Sequence, residues 1–370
     1  LLFLRQGALW AYALSDGRER QIVDSVRDFA AAPNGAQIAL IRDGRGQRDL
    51  WVVQRDGSGL TQLSNDARSE ATPIWAPDNS AIMYASASDK QPYQREWIAW
   101  SAWCATSEVR QVVLATSTVS TITPGCDPAI SPDGRRLAVA SPPEQNEPGL
   151  SAENPPKIVN AIRLVNRQGQ NGWNFARADG DPNATSNAGR DVYAPAFSPD
   201  GQQVLYHRFL GYQVLVDISL SEIGGSFEGK GKPMYSGAGW LLPAQFAADS
   251  RSLVISENNY SDARGFGGYD NWSATVIRME GNREVAMPSG PLTMLGQNVE
   301  TLRRAQAAIW VPGSSELFVQ LPPGWRADLP TNEPLGATGP GEIWRWKPGE
   351  GPQQRLVSEV DFASPLGWLR

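Results

Sequence analysis

Along most of the chain, short apolar segments alternate with tight polar turns. A short apolar segment leads into a Pro/Asp/Gly turn, and a second apolar segment follows. The pattern reads FAAAPNGAQIALI from Phe29, IWAPDNSAIMYAS from Ile74 and AISPDGRRLAVAS from Ala129. It returns as AFSPDGQQVLYHR from Ala196, QFAADSRSLVISE from Gln245 and AIWVPGSSELFVQ from Ala308. Proline presets the first turn position, the acid bonds back to the backbone, and glycine takes positive φ, so each copy predicts two antiparallel strands joined closely. A third strand, often bearing Trp, then a second turn and a fourth strand follow each pair. The clearest copy is DLWVVQRDGSGLTQLS from Asp49; others are ALWAYALSDGRERQIV from Ala8 and EIWRWKPGEGPQQRLV from Glu342.

The turns fall near positions 33, 77, 132, 199, 248 and 312, between 44 and 67 residues apart. The shortest spacing fits a unit of ~40–45 residues, and the excess is insertion. A seventh unit is split. The C-terminal DFASPLGWLR from Asp361 reads as an innermost strand with nothing after it, and the N-terminal LLFLRQ as a second strand with nothing before it. Joined, they complete one sheet and remove the open edges that would pair with other chains. The expected fold is all-β: one β-propeller domain over residues 1–370, with four-stranded antiparallel blades and a ring closed by both termini. Seven blades are expected, or six if the weak unit around 240–300 is not a full blade.

The S-P-D-G turn followed by an L-W…D-G-S…L-T hairpin resembles the TolB-like, WD-like propeller repeat. The likeness runs over essentially the whole chain. It is close at 72–86, 127–141, 194–208 and 49–64, and degraded at 245–257 and 308–320. No counterpart of the N-terminal domain of TolB is visible. The resemblance implies a bacterial, extracytoplasmic (periplasmic or cell-surface) module for protein–protein interaction, and it brings no catalytic residues.

Strand direction alternates within a blade, so the connections after the second and fourth strands share one face of the ring. The long segments at about 88–107, 142–157, 258–270 and 321–341 read as second-to-third-strand connections. The segment 288–303 reads as a connection between blades. All five are therefore expected on one face, and 221–231 on the other. Insertions gathered on one face of a repeat ring are the usual place for a binding surface. The candidate contact residues are Tyr93, Arg95, Trp97, Trp100 and Trp103 in the first insertion, Tyr260, Phe266 and Tyr269 in the third, and Trp325 and Arg326 in the fourth. Trp, Tyr and Arg dominate interface hot spots. The alternative for 88–107 is a plug, with its rings folded back over the blade. A Gly-rich loop is the plainer reading of 256–272, and an extended proline-rich loop that of 142–157.

Composition narrows the function. Net charge is −6 and the pI about 5.1, with no basic run, so a nucleic-acid partner is not expected. No apolar run approaches the ~18 residues of a membrane helix. The chain opens directly in LLFL, which reads as a mature or trimmed domain with any signal or anchor lying upstream. The single histidine, His207, excludes a His-based metal cluster and leaves only one possible base for a hydrolase triad. It reads as a satisfied strand residue. No nucleophile elbow, H-E-x-x-H, phosphate loop or dinucleotide fingerprint occurs. No metal, cofactor or catalytic residue is therefore expected.

Two cysteines remain, Cys104 and Cys126. Pairing about the A-T-S-T turn at 115–118 brings both to the same end of adjacent outer strands. This predicts a disulfide that tethers the Trp-rich insertion to its own blade, in an oxidising compartment; the alternative is two unpaired small hydrophobes. The leading functional expectation is a non-enzymatic propeller that engages a protein or glycan through its insertion face. A structural subunit of a larger envelope complex and a glycan-active enzyme are the alternatives.

Overall fold

The computed structural model describes residues 1–44, 46–88, 93, 97–142, 144–145, 158–178, 191–209, 215–224, 232–238, 240–258, 268–279, 296–329, 339–362 and 364–369. Seven antiparallel sheets follow one another along the chain. The first blade holds Leu2–Arg5, Ala8–Tyr12 and Glu19–Val23, and the second Val26–Ala31, Gln37–Gly44, Gln47–Gln54 and Thr61–Gln62. The third is Ser69–Trp75, Ala81–Ala87, Ser107–Val113 and Thr118–Pro124; the fourth is Cys126–Ile130, Arg136–Ala140, Ala161–Asn166 and Trp173–Arg177. Asp191–Phe197, Gln203–Phe209, Leu215–Glu222 and Lys232–Ala238 form the fifth. In the sixth, Trp240–Leu241 and Gln245–Phe246 share the inner position beside Ser252–Asn258, Trp272–Met279 and Gly296–Arg303. The seventh is Ala307–Trp310, Leu317–Leu321, Gly341–Lys347 and Gly351–Val360.

The first blade takes its innermost strand from the other end of the chain. Leu2 and Gly367 form an antiparallel bridge, with Leu2 N donating to Gly367 O at 2.8 Å and Gly367 N returning to Leu2 O at 3.1 Å. Leu4 N donates to Ser364 Oγ at 2.8 Å, and Asp361 N to Leu4 O at 2.9 Å. Asp361 also accepts from the amides of Gln6 and Gly7. Both termini thus close the ring within one sheet, as the sequence leads one to expect, and the count is seven.

The turn chemistry explains why the repeat survives degradation. Each inner turn needs one residue at positive φ, supplied by Gly35, Asn79, Gly134, Gly201, Ser250 and Gly313 in successive blades. In the fourth blade Asp133 Oδ1 accepts from Ser131 Oγ at 2.5 Å and Arg135 N at 3.0 Å. In the fifth, Asp200 does the same for Ser198 and Gln202. Asn79 and Ser250 fill the glycine position because a short polar side chain tolerates the left-handed region. Neighbouring turns also meet: Asn34 N donates to Asn79 Oδ1 at 3.1 Å, and Asp200 N to Ser250 Oγ at 3.2 Å.

The inner strands of blades three to five share a second feature. Thr72, Asp127 and Ala194 each take positive φ immediately before a proline, and the ladder slips register there. Proline has no N–H to give to the ladder, so the strand bulges instead of pairing continuously. In the sixth blade the inner strand is interrupted at Leu242-Pro243, which is why that unit reads weakly from sequence.

One expectation about the connections is corrected. Gly296–Arg303 pairs with Trp272–Met279 as the outer strand of the sixth blade, so 288–303 is not a connection between blades. The segment 280–295 joins third to fourth strand there and lies, with 225–231, outside the described residues. The insertions after 87, 141, 258 and 321 do join second to third strands. The second of them carries its own short ladder, Glu144–Gln145 with Ile158–Val159.

Candidate interaction face

The insertion of the third blade forms a helix, Trp97–Ala105, which leads directly into the third strand at Ser107. Tyr93 and this helix touch far more than their own blade. Arg48 Nη1 of the second blade donates to Tyr93 O at 3.2 Å. On the other side, Asp127 at the start of the fourth blade gathers three donors. Tyr93 Oη reaches its Oδ1 at 2.8 Å, while Trp100 Nε1 and Ala194 N both reach its Oδ2 at 3.1 Å. The Trp100 ring lies 5.7 Å from that of Tyr193 in the fifth blade, and Tyr93 meets Trp103 edge-on at 5.0 Å. The helix therefore spans the inner strands of neighbouring blades.

Cys104 and Cys126 are joined by a disulfide. Cys126 is the first residue of the fourth blade's inner strand, opposite Ala140. The bond therefore ties the insertion to the next blade, and the expectation that it tethers to its own blade is corrected. The physical reason is Gly125. Ser107 and Gly125 are held together through Gly125 N to Ser107 O at 3.0 Å and Ser107 Oγ to Gly125 O at 2.9 Å. The chain crosses to the next blade at Gly125, with φ 133°, before Cys126 is reached. A Cβ there would lie 2.4 Å from the Ala140 carbonyl oxygen.

The two readings of this insertion separate on burial. Trp100 is 0% exposed and Trp103 2%, so these rings pack as a plug and do not form a contact surface. An indole buried with its N–H on a carboxylate is fully used by its own fold. Tyr269, also nominated as a contact, is likewise 0% exposed. Its Oη accepts from Gln320 Nε2 at 3.0 Å, its ring stands edge-on to Phe362 at 5.1 Å, and burial pushes its phenol up to about 12. Arg95, Tyr260 and Phe266 lie outside the described residues, as does the side chain of Trp97.

Trp325 and Arg326 differ. Trp325 is half-buried and meets Trp344 edge-on at 5.1 Å; Arg326 is exposed and pairs with Asp328 at 3.0 Å. Trp344 Nε1 donates to Glu342 Oε2 at 3.0 Å, and Arg355 Nη1 to Glu342 Oε1 at 3.1 Å. This aromatic pair with its charged rim sits on the insertion face of the seventh blade.

Two buried carboxyl groups that sequence reasoning missed stand at the insertion-face ends of inner strands. Glu70 is 0% exposed and Asp191 1%, and neither carboxyl oxygen of either has a hydrogen-bond partner among the described residues. Burial raises Glu70 to about 8 and Asp191 to about 7. Around Glu70, the nearby Ser86 hydroxyl, Arg110 and Arg68 oppose the rise, while Asp66 reinforces it. His207 is buried, and its Nε2 accepts from Ala244 N at 3.1 Å, which puts the proton on Nδ1. Among the described residues, no group of His, Cys, Asp and Glu is arranged to hold a metal ion, and no helix is long and apolar enough to cross a membrane.

Seven four-stranded blades closed by both termini define a β-propeller. Comparison with known proteins adds the repeat type. No family model matches the chain. A 73-residue segment is 36% identical to the Tol-Pal system protein TolB of Anaeromyxobacter dehalogenans strain 2CP-C, and that stretch is 18% of this chain and 16% of TolB. The tricorn protease superposes over 98% of this chain and 33% of its own, with TM-score 0.58 and 12% identity. An oligogalacturonate lyase solved with manganese covers 97% of this chain and 84% of its own, with TM-score 0.56 and 12% identity. Identities this low show a shared fold. The chain is a seven-bladed β-propeller, one 73-residue stretch of which is similar to TolB.

Proposed function

We propose that this chain is a non-enzymatic, extracytoplasmic propeller that binds a protein partner through the insertion face of its ring. The observation that carries the proposal is nominated Trp325, half-buried and edge-on to Trp344, beside exposed Arg326. Half-buried Trp rimmed by Arg is the composition of an interface hot spot. The matched TolB is a Tol-Pal system protein, which favours a protein partner over a glycan. The disulfide favours an oxidising compartment. The chain's single histidine is committed to a backbone amide, which favours binding over catalysis.

Photo-crosslinking in the native host tests this. A crosslinking residue is placed at Arg326 on the insertion face, or at Arg135 on an inner turn of the opposite face. A discrete protein adduct from position 326 is expected, absent from 135 and lost in Trp325→Ala. No adduct at 326, or the same adduct from both positions, would overturn the proposal.

A further inference from the structure

The helix Trp97–Ala105 and Tyr93 are arranged as a strap. Three observations bear on what holds the strap down. First, two of its polar side chains converge on one residue of another blade: both Tyr93 Oη and Trp100 Nε1 end on the Asp127 carboxylate. Second, Asp127 is buried at 5% exposure, and its remaining donor is the main-chain amide of Ala194 in the fifth blade. With the strap away, the carboxylate would keep one donor out of three. Third, the helix is nine residues long, too short to persist in water alone. Its one covalent attachment beyond the main chain is the bond from Cys104, in its last turn, to Cys126, next to Asp127. Disulfide and hydrogen bonds therefore secure the same strap to the same point of the fourth blade.

We propose that the strap is a redox-latched lid over the inner strands of the third to fifth blades, with the Cys104–Cys126 disulfide as the latch. In an oxidising compartment the lid is closed, and Trp100 fills the seat made by Asp127, Tyr193 and the Ala194 amide. A dithiol reductant opens the latch. The S–S bond breaks, the reductant gives up two electrons and becomes its own disulfide, and Cys104 and Cys126 each take up a proton as thiols. Both cysteines are buried, so thiolate attack waits for a local fluctuation that exposes a sulfur with the strap still tethered, and the latch yields slowly. Opening uncovers an acceptor seat for an aromatic hydrogen-bond donor on the face that carries the insertions.

The test is hydrogen exchange read by mass spectrometry on the full chain, with and without dithiothreitol, alongside tryptophan emission and thiol counting. Expected on reduction are two thiols per chain, loss of protection confined to 97–105 and 126–129, and a red shift in emission. The other blades keep their protection. Three outcomes would overturn the proposal: no thiol release from the folded protein, thiol release with the strap still protected, or loss of protection around the whole ring. Asp127→Asn supplies a second reading. It keeps the disulfide but weakens the seat, so the strap stays closed when oxidised and reduction opens it faster than in the parent chain. An unchanged opening rate would contradict the role given to Asp127.

Discussion

At the residue scale, the buried groups make the sharpest claims. Trp100 fills a closed space and donates to a buried carboxylate, so Trp100→Ala removes a large ring and strips Asp127 of a donor. A loss of about 3–5 kcal/mol is expected, read from denaturant melts of the oxidised protein; a loss below about 1 kcal/mol would show that the ring is dispensable to packing. Glu70 and Asp191 predict a pH dependence. Unfolded, these carboxyls release their protons near 4.5 and 3.8; folded, they hold them to about 8 and about 7. Between those limits these two groups bind more protons in the folded chain than in the unfolded one, so their contribution to stability is fully present below about pH 4 and is lost as pH rises toward 8. Glu70→Gln should flatten the upper part of that slope by an amount on the order of a few kcal/mol. A melt series at stepped pH in which the variant and the parent run parallel would refute this.

At the element scale, the connections between blades matter as much as the strands. Gly125 turns the chain from the third blade to the fourth in a conformation that L-residues avoid, with the Ala140 carbonyl where a Cβ would sit. Gly125→Ala should cost more than about 1 kcal/mol and lower the yield of correctly bonded Cys104–Cys126, as counted by thiol labelling. This scale also shows what the sequence could and could not reveal. The inner turns were legible because each needs one positive-φ residue, and PNGA, PDNS, PDGR and PDGQ announce it. The helix Trp97–Ala105 was not, because its one-letter run WIAWSAWCA has apolar residues on every side, with no acidic residue in its first turn and no basic residue in its last. The outer strand of the sixth blade was mistaken for a connection since the register of GQNVETLR is set by pairing with Trp272–Met279, not by alternation. Asp127 does leave a trace in the sequence: Pro73, Pro128 and Pro195 each stand four residues before a turn proline, and the residue preceding each is a bulge at positive φ. Glu70 and Asp191 left none, because burial of a lone carboxyl is a property of the packed ring.

At the scale of the whole molecule, the seven sheets share one surface closed on itself. Tertiary seams run between blades, as where Trp346 Nε1 of the seventh reaches Glu300 of the sixth at 3.3 Å and Trp75 Nε1 of the third reaches Ala30 O of the second at 2.8 Å. The seam at the termini differs because two ends of the chain must meet to make it. Phe318 and Trp368 pack at 5.1 Å, and Trp368 Nε1 donates to Trp310 O at 2.7 Å, so the C-terminal strand also fastens the seventh blade. The insertion face, the strap and the buried carboxyls hold their places only if the ring is closed. A chain ending at residue 360 should therefore melt at lower temperature with a broadened transition, and associate through the exposed edge of Leu2–Arg5. Scanning calorimetry paired with light scattering on this truncation is the most direct measurement. The account predicts lost cooperativity together with oligomers; a monomer with the parent's melting profile would contradict it.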